Sequence, residues 1–256
     1  MQKEPPSDSN SPASFSLFEG GPFYRLEERL ALVQEGRRRS GRRVLFAVLL
    51  AWMPMLLLAA AQSLAIGPTR LESFLMDFEV NVRFLVVVPV FLLGEVFCRA
   101  QLITVVQQFL DAGLVKDKSR ADFDTIVGDT VSLSRSGRTD AALLILAYLH
   151  SAGVLFVMLF EMQFSTWRAP MEGGHTVISL AGIWYFLVAF PLYSFLLWRW
   201  LLRIALWWRL MWMVSGLDLR FSPSHRDGVG GMAFLSNSLG AFGPFVFGCT
   251  AMVAAA

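Results

Sequence analysis

The residues best suited to chemistry in this sequence are His225-Arg226-Asp227-Gly228-Val229-Gly230-Gly231, a polar, glycine-rich stretch ahead of a long apolar run. Glycines before a helix leave backbone N–H groups free to face an anion, and the helix N-terminus adds a favourable potential. Arg226 offers a planar fork for phosphate or carboxylate. His225 and Asp227 can pass a proton. The same residues have a purely structural use, in which Asp227 caps the next helix and Gly228, Gly230 and Gly231 form its tight turn. Both uses stay open at this level. The stretch is not a dinucleotide fingerprint, because no strand precedes it.

Two other sets carry ionisable side chains. Glu95, His150 and Glu161 belong to long apolar runs, where an ionisable group is costly and is a functional candidate by default. Glu95 and Glu161 are placed near the ends of their runs, where a charge is cheap. Glu95 also stands one turn before Arg99 and can pair with it. His150 lies deeper. A neutral imidazole bonded to another helix accounts for it. A bis-histidine haem would need a second histidine at that depth, and there is none, so no cofactor is expected. Asp77 and Glu79 with His175 form the third set, but their spacing matches no metal motif, and no metal is expected.

Apolar helices must position these groups. Arg37, Arg38, Arg39, Arg42 and Arg43 precede a run from Val44 to Ile66 that has no charged side chain. About 20 apolar residues cross a hydrocarbon core of about 30 Å, and the arginines mark the end that stays in the cytoplasm. The run is too long for a cleaved signal peptide, and a helical segment of its own precedes it. Further runs predict an all-α, multi-pass bundle with spans at 44–66, 78–98, 141–163, 177–198 and 232–256. On this topology all but Arg70, Arg83 and Arg168 of the 22 Lys+Arg fall on the cytoplasmic side.

The totals agree. Of 256 residues, 55% are hydrophobic and only 16% charged, against about 25% in soluble proteins. Mean hydropathy is +0.53. A net charge of +2 with no basic patch gives no reason to expect nucleic acid. Cys98 and Cys249 are placed near opposite membrane faces, too far apart for a disulfide.

Between the spans the pattern is finer. Residues 1–15, with Pro5-Pro6-Ser7-Asp8-Ser9-Asn10-Ser11-Pro12, are predicted to be a disordered tail. Residues 16–43 combine an amphipathic helix, with its stripe of Phe23, Leu26, Leu30 and Val33, and the basic block. Leu71 to Val82 has a helical pattern, in which Glu79 and Arg83 are i, i+4 partners. Residues 100–139 predict a cytoplasmic helical hairpin. Its second arm starts at Ser119-Arg120-Ala121-Asp122 as a capping box, buries Phe123, Ile126, Val127 and Thr130, and stops at Gly137. Asp140 is placed as the cap of the third span. The fourth span continues to Ser215-Gly216. There Trp198, Trp200, Trp207, Trp208 and Trp212 interleave with Arg199, Arg203 and Arg209, a combination that marks a membrane interface. In the fifth span Ser236, Gly240, Pro244 and Gly248 recur at every fourth position. That face lets a helix approach closely, either in the chain's own bundle, in a second copy, or in a partner.

Phe18-Glu19-Gly20-Gly21-Pro22-Phe23-Tyr24-Arg25 and His225-Arg226-Asp227-Gly228-Val229-Gly230-Gly231-Met232-Ala233-Phe234-Leu235 together resemble a group of bacterial polytopic inner-membrane proteins that has no assigned activity. The resemblance implies a bacterial plasma membrane and relatives with further helices. It assigns no catalytic residue. The expected function is a non-enzymatic transport or envelope-complex component with its N-terminus in the cytoplasm. The alternative is an enzyme acting at the cytoplasmic face on an anionic or phosphorylated lipid-level substrate through His225, Arg226 and Asp227. The bilayer, and under either reading an anionic lipid, are the expected partners.

Overall fold

The computed structural model describes residues 37–66, 69–160, 167–172, 175–220 and 232–256. It is an all-α helical bundle with α1 (Arg37–Ile66), α2 (Thr69–Leu75), α3 (Phe78–Asp111), α4 (Arg120–Ser134), α5 (Gly137–Phe160), α6 (Leu180–Ser215), α7 (Ser236–Ala241) and α8 (Gly243–Ala255). A two-residue antiparallel ribbon, β1 (Met171–Glu172) with β2 (His175–Thr176), lies between α5 and α6. Helices α1, α3, α5 and α6 are long and apolar enough to cross a membrane. The pair Ala233–Ala241 and Gly243–Ala255 adds a fifth span if it is counted as one bent unit. The stretch expected as the fifth span, 232–256, thus holds two helices with a bend of 43° between them. The chain divides into two compact units.

One unit takes Asp140–Leu201, Pro244–Ala256 and the described residues up to Gly94. Separated helices in a bilayer already sit in an apolar medium, so close approach and hydrogen bonds hold them together more than apolar burial does. Helix α1 follows this rule. Ala47, Ala51, Met55 and Ala59 form its buried row, while Leu45, Leu49, Leu57 and Leu64 face outward. The helix runs through Pro54 without a break. Gly248 of α8 sits directly on the Phe91 ring, and Gly94 of α3 on Pro244, with no room for a Cβ at either position. Phe91 stacks on Phe245 with ring centroids 5.8 Å apart. Its carbonyl accepts from Trp200 Nε1 at 3.2 Å.

The expected single helix from Leu71 to Val82 is two helices. Asp77 interrupts it and caps α3, accepting from the Val80 amide at 3.0 Å. Asn81 holds the joint. Its amide donates to the carbonyls of Phe74, Leu75 and Asp77, and its oxygen accepts from Trp52 Nε1 at 2.9 Å. The two longest helices each contain a π-helical turn in this unit, Arg83–Val87 in α3 and Tyr185–Ala189 in α6. Such a turn adds one residue and re-aims the side chains around it. Two carbonyls of the second turn also receive hydroxyl bonds from α5, Ser151 to Phe186 at 2.8 Å and Tyr148 to Leu187 at 3.2 Å.

The other unit includes Glu95–Thr139 and Leu202–Gly243. Helix α3 ends at Asp111, where Gly113 takes φ +64, the left-handed turn that glycine adopts without a steric penalty. Helix α4 buries Phe123, Ile126, Val127 and Thr130, the stripe expected from its spacing, and Val131 besides. Phe109 meets Phe123 and Phe234 at centroid distances of 6.0 and 5.1 Å. The residues after α3 and α6 are clasped together by an isolated bridge between Val115 and Leu219 and by the Arg220 amide donating to the Leu114 carbonyl at 2.7 Å. Lys116 and Lys118 both grip Asp218, whose carboxyl they pull down to about 2.

Three local expectations are corrected here. Ser119 is buried and its side chain makes no capping bond, because a 3₁₀ turn over Asp117–Ser119 leads into α4. Helix α4 stops at Ser134, and Gly137 opens α5 instead of closing α4. Asp140 is consequently a buried residue in the first turn of α5 and not its cap.

Candidate functional site

The most highly built polar cluster among the described residues centres on Arg83 and Tyr185, the first residues of the two π-helical turns. Arg83 is 5% exposed and Tyr185 1%. One terminal nitrogen of the Arg83 guanidinium donates to the Tyr185 hydroxyl, and the other to Glu79, its expected i, i+4 partner. The guanidinium carbon lies 5.1 Å from the centre of the Phe190 ring and 5.2 Å from that of Tyr193. An aromatic slot of this kind replaces part of the hydration that a buried cation gives up.

A second cation meets the same tyrosine. Arg168 lies over the Tyr185 ring at 4.8 Å and over Trp167 at 5.3 Å, and it pairs with Asp77. Trp167 Nε1 also donates to Asp77, at 2.9 Å. Burial pushes the Asp77 carboxyl upward. The charge of Arg168, with the bonds from Trp167 and the Val80 amide, outweighs this and leaves it below the usual carboxylate value. Burial works against the charge on Arg168, and its neighbours Tyr185 and Asp77 more than restore it. Asp77, Arg168, Arg83 and Glu79 thus place two anions and two cations around one phenol. Gly182 seats the Arg168 backbone carbonyl where a Cβ would collide with it. Each charge is committed to a partner, so the cluster locks α3, α6 and residues 167–169. It does not present a nucleophile to a base. Its oxygens also explain Asp77 better than the metal set of Asp77, Glu79 and His175, since indole, guanidinium and amide donors already occupy them.

Glu95 stands near the end of the expected 78–98 span, in a helix that runs on past it. It lies midway along the 34-residue α3, 4% exposed, and accepts from Arg203 of α6 at 2.7 Å. Arg203 is itself 1% exposed. The tryptophan and arginine series therefore divides. Trp200, Arg203 and Trp207 belong to the interior, whereas Trp208 and Trp212 are 71% and 81% exposed. The series thus occupies two faces of one helix, one buried and one outward.

His150 bonds Ser194 of α6 through Nδ1 at 3.2 Å and lies against the Phe190 and Trp198 rings. The imidazole is thus tied to another helix, as its depth suggested. Glu161 lies outside the described residues, as do His225, Arg226, Asp227, Gly228, Gly230 and Gly231, the amphipathic segment with Phe23, and the tail. Of the small-residue series in the fifth span, Pro244 and Gly248 rest on the chain's own α3. Ser236 is exposed, and Gly240 has nothing within 4 Å of the place where a Cβ would stand.

A groove of about 550 Å³ opens in the unit that holds Glu95–Thr139 and Leu202–Gly243. Phe109 of α3, Trp207, Met211 and Val214 of α6, and Leu239 with Phe242 form most of its wall. Ser215, Ser236 and Ser238 supply its hydroxyls, and each of these donates to a carbonyl of its own helical segment. The lining is left apolar in effect.

Sequence reasoning missed the Arg83 and Tyr185 cluster and the groove. A signal for the first existed: Arg83 is the only charged side chain between Glu79 and Glu95. Nothing local pointed to its partner, 102 positions away. No protein family, curated protein or solved structure matches this chain.

Proposed function

We propose that this multi-pass membrane protein is a non-enzymatic subunit of a transport or envelope complex in a bacterial plasma membrane, with the residues before α1 in the cytoplasm. The observation that carries this reading is the state of the buried ionisable groups. Arg83, Glu79, Asp77 and Arg168 neutralise one another, as do Glu95 and Arg203. The outward rows of α1 and α5 and the groove beside Trp207 offer hydrocarbon. Such surfaces suit helices and lipid better than a polar reaction. The bacterial membrane follows from the resemblance, and the orientation from the one-sided arginines and lysines. The enzyme alternative rests on His225, Arg226 and Asp227, outside the described residues, and no described geometry favours it.

Two measurements test this reading. Reporter domains fused after Arg138 and after Gly173 are expected to report cytoplasm and exterior respectively. Cytoplasmic activity at both points overturns the topology. Cross-linking in native membranes followed by purification is expected to capture a second copy or another membrane protein. A strictly monomeric protein that carries no partner and no solute overturns the subunit role.

A further inference from the structure

We infer that the groove beside Trp207 is a lipid site that holds one acyl chain of a bilayer phospholipid. Three observations carry the inference. The first is the chemistry of the wall. Phe109, Trp207, Met211, Val214 and Phe242 leave almost no polar surface, and the three hydroxyls are turned to carbonyls of their own helices. A volume of about 550 Å³ is in the range of ligand cavities, about 300–1,000 Å³.

The second is continuity with the surface that meets lipid. Trp208 and Leu239 line the groove and are also 71% and 75% exposed. Helix α6 is a candidate span through Ser215, and the wall residues Leu235, Ser236, Ser238 and Leu239 belong to the bent helix pair that makes a fifth candidate span. The groove therefore opens on the exposed apolar flank of α6, at the level where headgroups meet acyl chains. The third is depth. Helix α6 has 36 residues, roughly 54 Å at 1.5 Å per residue, against a hydrocarbon core of about 30 Å. Its later turns, with exposed Trp208, Arg209 and Trp212, carry the side chains that settle at headgroup level. A chain entering there keeps its ester end in the interface and its tail on apolar side chains. The inference requires only that the protein is in a membrane. It stands or falls separately from the subunit role.

The test uses the whole chain in nanodiscs of phosphatidylcholine carrying a diazirine on one acyl chain. After irradiation, labelled peptides are mapped by mass spectrometry. Labelling within 207–215 and 232–242 is expected to exceed labelling of the outward row of α5, from Leu144 to Phe160, at least fivefold. Ser236→Trp, which fills the groove, is expected to remove most of that excess and leave α5 unchanged. Met211→Trp provides the same block from the other wall if the first variant fails to fold. Equal labelling of groove and α5, or excess labelling unchanged by a filled groove, overturns the inference, because contact with bulk lipid would then explain the result. A cross-link from the groove to another polypeptide in place of lipid overturns it too.

Discussion

Replacing Tyr185 with phenylalanine removes a single oxygen from the centre of the charged cluster. A terminal nitrogen of Arg83 then loses its acceptor in a place that is 5% exposed. In soluble proteins a hydrogen bond to a charged group contributes about 1.5–3 kcal/mol. Between helices in a bilayer the measured average is about 0.6 kcal/mol and the maximum about 1.7, because separated helices find other partners. The Arg83 bond is charge-assisted and shielded by Phe190 and Tyr193, so the upper end applies, and Tyr185→Phe is expected to cost about 1.5 kcal/mol. Arg83→Met keeps the side-chain length but loses the bonds to Tyr185 and Glu79 and both ring contacts, about 2–3 kcal/mol. Glu79 is 38% exposed at its side chain and remains solvated when its partner is gone. In the double variant an apolar methionine faces an apolar ring and no hydroxyl is stranded. The double variant is therefore expected to cost no more than Arg83→Met alone, a coupling of about 1.5 kcal/mol. Steric trapping in bicelles measures all four corners of the cycle. If Tyr185→Phe lies within about 0.5 kcal/mol of the parent, or if the two changes simply add, the bond is not what holds the two π-helical turns together.

For the pair of Glu95 and Arg203 the second change is expected to offset the first. Arg203→Met strands a buried carboxylate and is expected to cost about 3–5 kcal/mol, while adding Glu95→Leu restores most of the loss. A double variant as unstable as the single one would show that the ion pair is not the cause. At the other cluster, the folded Asp77 carboxyl is held below its ordinary value. Its contribution is full above the unfolded value of about 3.9 and disappears as pH falls through the lower folded one. The Trp167 indole N–H resonance is expected to stay constant from pH 8 down to about pH 4 and to move only below that. A transition centred between pH 5 and 7 contradicts the assignment, and Asp77→Asn should remove the acid transition altogether.

The existence and length of the spans were legible because a run of apolar side chains is a local property and the bilayer selects on it directly. So were the pairing of Glu79 with Arg83 and the buried stripe of α4, since both depend on residues three or four apart on one helix. The corrections share another cause. A helix that is apolar on every side carries little record of which face its neighbours cover, so Trp200 and Trp207 could not be told from Trp208 and Trp212. Asp77 reads as a surface acid until Trp167 and Arg168, some 90 positions later, arrive beside it. The π-helical turns at Arg83 and Tyr185 leave no local pattern, and the groups that meet them come from distant helices: Tyr185 for the first, the α5 hydroxyls for the second. Glu95 looked like a flanking charge beside Arg99 and became half of a buried pair once α6 supplied Arg203. Partners separated by a hundred residues meet only when helices pack, and helix packing is decided by shape and hydrogen bonding across the whole bundle.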